Sequence, residues 1–107
     1  MHKPTLSKPI ICWMIFCLTP QYIQAQTTWI DVRTAAEFST GHIDGAINIP
    51  HSIIAQTILE KIPDKNADIK LYCRSGRRSA LALSILQDLG YRHAVDFGAY
   101  HRADTDD

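Results

Sequence analysis

The feature that most limits how this chain can fold is a repeated switch between short apolar runs and helical stretches, punctuated by Gly and Pro, from Trp29 to Phe97. Trp29-Ile30-Asp31-Val32 reads as a strand, and Ala46-Ile47-Asn48-Ile49 as a second strand closed by Pro50. Ile69 to Cys73 gives a third strand and His93 to Phe97 a last short one. After the first strand, Thr34-Ala35-Ala36-Glu37 matches a capping box, in which the Thr34 hydroxyl and the Glu37 carboxylate satisfy orphan amides at a helix start. Gly41 and Gly45 flank a turn. From Ser52 onward Ile54, Ile58 and Ile62 recur at helical spacing, Ala55 and Leu59 widen the stripe, and Pro63 stops the helix. Asp64-Lys65-Asn66 makes a polar connection, and Ser79 to Leu89 is helical, with Ala82, Ile85, Leu86 and Leu89 on one face and Gly90 as a left-handed stop.

Strands and helices in alternation imply parallel strands joined by right-handed crossovers. The expected fold is therefore α/β, a small parallel sheet flanked by helices on both faces in three layers. Ligands of such sheets bind at the carboxyl ends of the strands, and Cys73 stands at one of those ends.

The first 25 of the 107 residues read as a cleavable secretory signal peptide. Lys3 and Lys8 give it a basic start, Ile10 to Leu18 an apolar stretch, and a polar run ends at Ala25, so that cleavage exposes Gln26. A bilayer-spanning helix takes roughly 20 residues. The apolar stretch is shorter and Pro20 ends it, which argues against a stable membrane anchor. Residues 26–107 then form one small domain, periplasmic or secreted, with a monomer as the expected state. Two of the eleven basic residues leave with the leader while all eleven acidic ones stay, so the mature domain carries a net charge of −2. No nucleic-acid footprint remains. Cys12 and Cys17 also leave, making Cys73 the only mature thiol and excluding an intramolecular disulfide. An unpaired Cys retained in an oxidising compartment suggests that it is used.

The stretch that carries chemistry is Tyr72-Cys73-Arg74-Ser75-Gly76-Arg77-Arg78-Ser79, which leaves a strand, turns through Gly76 and opens a helix. Backbone amides of the turn, the helix N-terminus and up to three guanidinium groups, Arg74, Arg77 and Arg78, all favour a thiolate. Such surroundings lower a thiol pKa from about 8.5 into a range of roughly 3.5 to 7.5. The same cradle suits a small oxyanion, because amide donors and Arg forks match its charge and geometry. Nucleophile and substrate then share one pocket. This chemistry requires the sulfur to be reachable from solvent.

The loop, together with Asp31-Val32-Arg33, Glu37-Phe38, Gly41-His42-Ile43 and Gly45-Ala46-Ile47-Asn48-Ile49-Pro50, resembles the single-domain rhodanese family in its small exported form. The likeness runs from Trp29 to about Gly98. It implies a thiosulfate sulfurtransferase in which Cys73 takes a sulfane sulfur as a persulfide and passes it to cyanide or a thiol acceptor, with no metal or organic cofactor. It further implies that the loop from Cys73 to Arg78 cradles the persulfide, that Arg74, Ser75, Gly76, Arg77, Arg78 and Ser79 meet the substrate with Arg77 or Arg78 holding the anion, and that Asp31 and Arg33 brace the loop. Where the family commonly carries a Gly-Gly pair after its last strand, this chain has Gly98-Ala99-Tyr100 and then an acidic tail.

Two other readings compete. Related phosphatases and arsenate reductases place five residues between Cys and Arg; counted from Cys73 that Arg falls at Ser79, whereas Arg78 comes after four. A non-catalytic module, or a carrier that loads sulfur without rapid turnover, belongs to a different class. A Cys-His hydrolase is weaker, because His42, His51, His93 and His101 are dispersed and no motif ties one to Cys73.

Overall fold

Peptide groups of four strands close a parallel ladder in a computed structural model, which describes residues 26–101. The expected leader therefore lies outside the described residues. In chain order the elements are β1 (Thr27–Asp31), α1 (Ala35–Ser39), β2 (Ile47–Asn48), α2 (Ile54–Lys61), β3 (Asp68–Cys73), α3 (Arg77–Asp88) and β4 (Ala94–Ala99). The sheet order is β2-β1-β3-β4. β1 aligns with β3 from Thr27 opposite Asp68 to Asp31 opposite Tyr72, and β2 adds only Ile47 and Asn48. The chain thus goes to one side of β1 for β2 and to the other for β3. That reversal opens a crevice at the carboxyl ends of β1 and β3, where Asp31 and Cys73 lie.

Alternation along the strands divides the core. Ile30, Ile69, Leu71 and Cys73 face α2 and α3, where they pack with Val32, Ile49, Ile54, Ile58, Ala82, Leu86 and Tyr91. The opposite face gathers Tyr72, Ile43 and Ala46, with Trp29, Phe38, Phe97 and Tyr100 half-buried against them. Helices therefore cover both faces unequally: two of 8 and 12 residues on one side, and the five-residue α1 with its following turn on the other.

The capping box at Thr34 and Glu37 is present as the sequence predicts, and Gly90 follows α3 at a φ of 97°. Three expected core positions are instead exposed: Ala55 and Leu59 on α2, and Leu89 at the end of α3. α2 lies on the sheet along one row, Ile54, Ile58 and Ile62, so the flanking positions reach solvent. Gly90 turns the chain at Leu89, and Tyr91 fills the space instead, fully buried, with its hydroxyl donating to the Ile62 carbonyl at 2.6 Å.

Candidate active site

Cys73 closes β3, and the chain then turns through Arg74 and Ser75 to Gly76, whose φ of 98° lies in the left-handed region. Gly76 is the N-cap of α3, a position where a Ser, Thr or Asp side chain usually accepts a hydrogen bond from the first turn. No side chain of the cap residue does so here. The Cys73 sulfur takes that place, accepting from the amide of Gly76 at 2.9 Å and from that of Ser79 at 3.4 Å. The Ser79 hydroxyl lies 3.6 Å from the sulfur and donates to the Gly76 carbonyl at 3.1 Å. A protonated thiol donates to that oxygen; once the sulfur ionises, the hydroxyl can rotate towards it.

Burial is the largest single influence on the Cys73 thiol and pushes its pKa up. The Ser79 hydroxyl and the amides of Ser79, Gly76 and Ser75 outweigh it together, so the thiol sits below its ordinary value. Of the influences the sequence suggests, the amides of the turn lead here, while Arg78 and the sulfur also attract each other by charge. Arg74 and Arg77 are exposed, and Arg78 is half-buried.

Access also differs from the expectation of a reachable sulfur: Cys73 has 0% of its surface exposed. Arg74, Ser75 and Arg77, in the loop that follows it, are solvent-exposed. One side of the sulfur is polar, met by the Gly76 and Ser79 amides and the Ser79 hydroxyl, and the other packs in the apolar core.

Arg78 is bound by a residue that local sequence reading treated only as a helix cap. Its two terminal nitrogens donate to Glu37, at 2.9 Å to Oε1 and 3.1 Å to Oε2. Glu37 Oε1 also accepts from the Thr34 amide at 2.9 Å and its hydroxyl at 3.1 Å. These bonds, those from Arg78 foremost, push the Glu37 carboxyl down to about 2. The pair joins positions 41 apart, and no local period announces it.

Asp31 and Arg33 meet each other rather than the loop. Arg33 Nε donates to both Asp31 oxygens at 2.9 Å, its terminal nitrogen reaches Oδ2 at 2.6 Å, and the same nitrogen donates to the Gly41 carbonyl at 2.6 Å. The guanidinium stacks over Tyr72 at 5.7 Å and Tyr100 at 4.6 Å. Tyr72 precedes Cys73, and its hydroxyl accepts from the Ile43 amide at 3.1 Å. Any bracing of the cysteine by Asp31 and Arg33 therefore runs through Tyr72 and the turn at Gly41.

At Gly98-Ala99 the last strand stays paired with β3. β4 continues to Ala99, which pairs with Cys73, and a bulge lets Gly98 pair with Tyr72. A Cβ built on Gly76 would stand 3.5 Å from Gly98 Cα, an ordinary contact, so it is the left-handed φ of 98° and not lack of room that favours glycine there. His42 stacks on Phe38 with ring centroids 3.6 Å apart, and His93 lines a depression of about 220 Å³ at the amino ends of the strands, away from Cys73.

Residues 20–97 match the rhodanese-like domain family. The thiosulfate sulfurtransferase PspE of Escherichia coli is 43% identical over 70 residues, 65% of this chain and 67% of that protein. A sulfurtransferase of Allochromatium vinosum is 42% identical over 67 residues, 63% of this chain and 61% of its own length. Among solved structures, a rhodanese with anions from E. coli superposes at a TM-score of 0.69 and 39% identity, over 72% of this chain and 91% of that one. The cysteine loop, the β2-β1-β3-β4 sheet and a match over residues 20–97 agree, and the chain belongs to the rhodanese family.

Proposed function

We infer that this protein is a thiosulfate sulfurtransferase that moves a sulfane sulfur from thiosulfate to cyanide or a thiol acceptor through a persulfide on Cys73. The observation that carries this reading is the convergence of the Gly76 and Ser79 amides and the Ser79 hydroxyl on one sulfur at a helix start. The relatives named thiosulfate sulfurtransferase and sulfurtransferase support it.

In the first half-reaction the Cys73 thiolate attacks the outer sulfur of thiosulfate. A sulfur–sulfur bond to Cys73 forms while the bond to the sulfonate sulfur breaks, and its electron pair leaves with sulfite. One thiolate and one thiosulfate dianion give one persulfide anion and one sulfite dianion. Amides of the 74–78 loop and Arg78 stabilise the oxyanion. The acceptor's lone pair then attacks the outer persulfide sulfur, and the Cys73 thiolate leaves. Arg74, Ser75 and Arg77 are the exposed residues of this loop, the side from which donor and acceptor come.

The position that a phosphatase loop would fill with Arg carries Ser79, whose hydroxyl is already engaged at the sulfur and at the Gly76 carbonyl. That argues for sulfur transfer over phosphate chemistry.

Residues 1–25 act as an export leader, and the mature domain works as a monomer in the periplasm or outside the cell. The basic start and apolar stretch of the leader support this, as does β1 beginning at Thr27, just beyond the expected cut. Among the described residues no helix is long and apolar enough to cross a membrane.

One measurement tests the reading: intact mass of the exported protein before and after thiosulfate, with sulfite release followed in parallel. The expected result is a chain beginning near Gln26, one added sulfur on Cys73 and none on Cys73→Ser, and repeated sulfite release when cyanide is present. Thiosulfate-dependent sulfite release by Cys73→Ser would overturn the assignment, and one round of loading without turnover would make the protein a carrier.

A further inference from the structure

The residue expected to hold the donor anion is already occupied. Both terminal nitrogens of Arg78 point at Glu37, which is itself anchored at the first turn of α1 by the Thr34 amide and hydroxyl. The carboxylate is therefore fixed from one side by its own helix and from the other by the loop helix α3. Each partner keeps 27% of its side-chain surface exposed, so the pair stands at the mouth of the site and not in the core.

A guanidinium has five N–H donors, and an end-on pair uses one from each terminal nitrogen. The remaining donors, Nε–H included, stay available to a second anion. What Glu37 removes is net charge: seen from the mouth, Arg78 and Glu37 together are close to neutral. With its carboxyl pushed down to about 2 by Arg78 and Thr34, Glu37 stays ionised at every pH where the thiolate exists.

The chemistry makes this consequential, because the donor arrives as a dianion and the product leaves as one. A loop that held oxyanions through an unopposed guanidinium would capture thiosulfate well and release sulfite slowly. We propose that Glu37 is a specificity-determining residue of the sulfur-transfer site: it fixes the direction of Arg78 and offsets its charge, so that the loop holds oxyanions loosely enough for sulfite to depart. This rests on the sulfurtransferase reading and deepens it. Glu37 does not touch the sulfur and acts through Arg78.

The test is sulfite binding to the Cys73→Ser protein, which forms no persulfide, followed calorimetrically with and without Glu37→Gln. Gln keeps the size of the side chain and one acceptor oxygen but loses the charge. Sulfite should bind roughly three- to tenfold more tightly to the double variant, the effect expected when one charge is removed from a partly solvated site. The gain should shrink as salt is raised from about 0.05 to 0.5 M, because the Debye length shortens from above about 10 Å to below about 8 Å. In otherwise wild-type protein, Glu37→Gln should lower the thiosulfate KM and strengthen product inhibition by sulfite by similar factors.

Thr34→Ala separates this role from helix capping, since it removes the cap and leaves the Glu37–Arg78 pair. It should lower the melting temperature and leave sulfite affinity as it was. Equal or weaker sulfite binding with Glu37→Gln overturns the proposal, as does a gain with Thr34→Ala that matches it. Failure of the parent protein to release sulfite from thiosulfate overturns the sulfurtransferase reading instead, whatever the calorimetry gives.

Discussion

Two arginine–carboxylate pairs stand at the carboxyl end of the same sheet and differ in almost every physical respect. Asp31 and Arg33 lie two residues apart and show 0% and 6% side-chain exposure. Both Asp31 oxygens, Arg33 Nε and one of its terminal nitrogens are matched, and two tyrosine rings flank the guanidinium. Glu37 and Arg78 lie 41 residues apart, meet through two hydrogen bonds and remain 27% exposed on each side. Burial makes the first pair a fixture, because neither charge can be left alone in a low-dielectric interior. Solvent makes the second adjustable: it adds little to stability, and its donors can be shared with a ligand. The same functional groups serve as scaffold in one place and as tuning in the other.

Breaking the buried pair should give the largest effect on the molecule. Arg33→Ala leaves the Asp31 carboxylate without its partner and the Gly41 carbonyl without a donor, at a cost of roughly 3–5 kcal/mol. The Tyr72 ring, on which the guanidinium lies, loses its cover as well. Urea denaturation followed by circular dichroism measures the loss. A cost below about 1 kcal/mol, the range of an exposed pair, would erase the distinction between the two regions.

The contrast also marks how much the sequence disclosed. Interactions within a few residues were legible: the Thr34–Glu37 capping box, the glycine stop at Gly90, and the turn at Gly76 that opens a helix behind a strand-end cysteine. Each is written in local residue types whose geometry is short-range. The parallel sheet followed from alternation alone. Glu37–Arg78 was not legible, since periodicity says that a carboxylate caps a helix but not which distant cation shares it. Nor could spacing separate Arg77 from Arg78; only the start of α3 at Arg77, two residues earlier than the sequence suggests, turns Arg78 towards α1 and leaves Arg77 in solvent. Leu59 and Leu89 fit the helical stripes and still face water, because a short helix lying on a sheet buries one row of side chains.

Arg78→Ala sharpens the comparison from the exposed side. Losing this fork should raise the thiosulfate KM by roughly tenfold, the equivalent of one charge-assisted hydrogen bond of about 1.4 kcal/mol. Glu37 then stands uncompensated near the mouth and adds repulsion. The cost in folding stability should stay within about 1 kcal/mol. Steady-state kinetics beside urea denaturation gives both numbers. A large stability loss with unchanged KM would make Arg78 a second scaffold residue and remove it from the site.

The smallest effect probes the ionisation of Cys73, where hydrogen-bond donors of the loop lead. Burial pushes its thiol up, and hydrogen-bond donors, the Ser79 hydroxyl leading them, outweigh it and hold the thiol below its ordinary value. The thiolate fraction therefore rises as pH climbs through the lowered pKa and levels off above it. By linkage, the stability gained from ionisation is fully present above the unfolded pKa and is lost as pH falls through the folded one. Ser79→Ala removes a stabiliser of the charged form, so its midpoint should move upward and the thiolate should become scarcer at neutral pH. The rate of alkylation by iodoacetamide, measured across pH, should show that move and fall roughly two- to fivefold near pH 7, since a full unit of pKa is worth a factor of about ten. Arg78→Ala should displace the same midpoint less than Ser79→Ala does, and Arg33→Ala, where it folds, less again. A larger displacement from Arg78→Ala would mean that guanidinium charge ionises the sulfur after all, and the division between a neutral cage and a tuned ion pair would have to be redrawn.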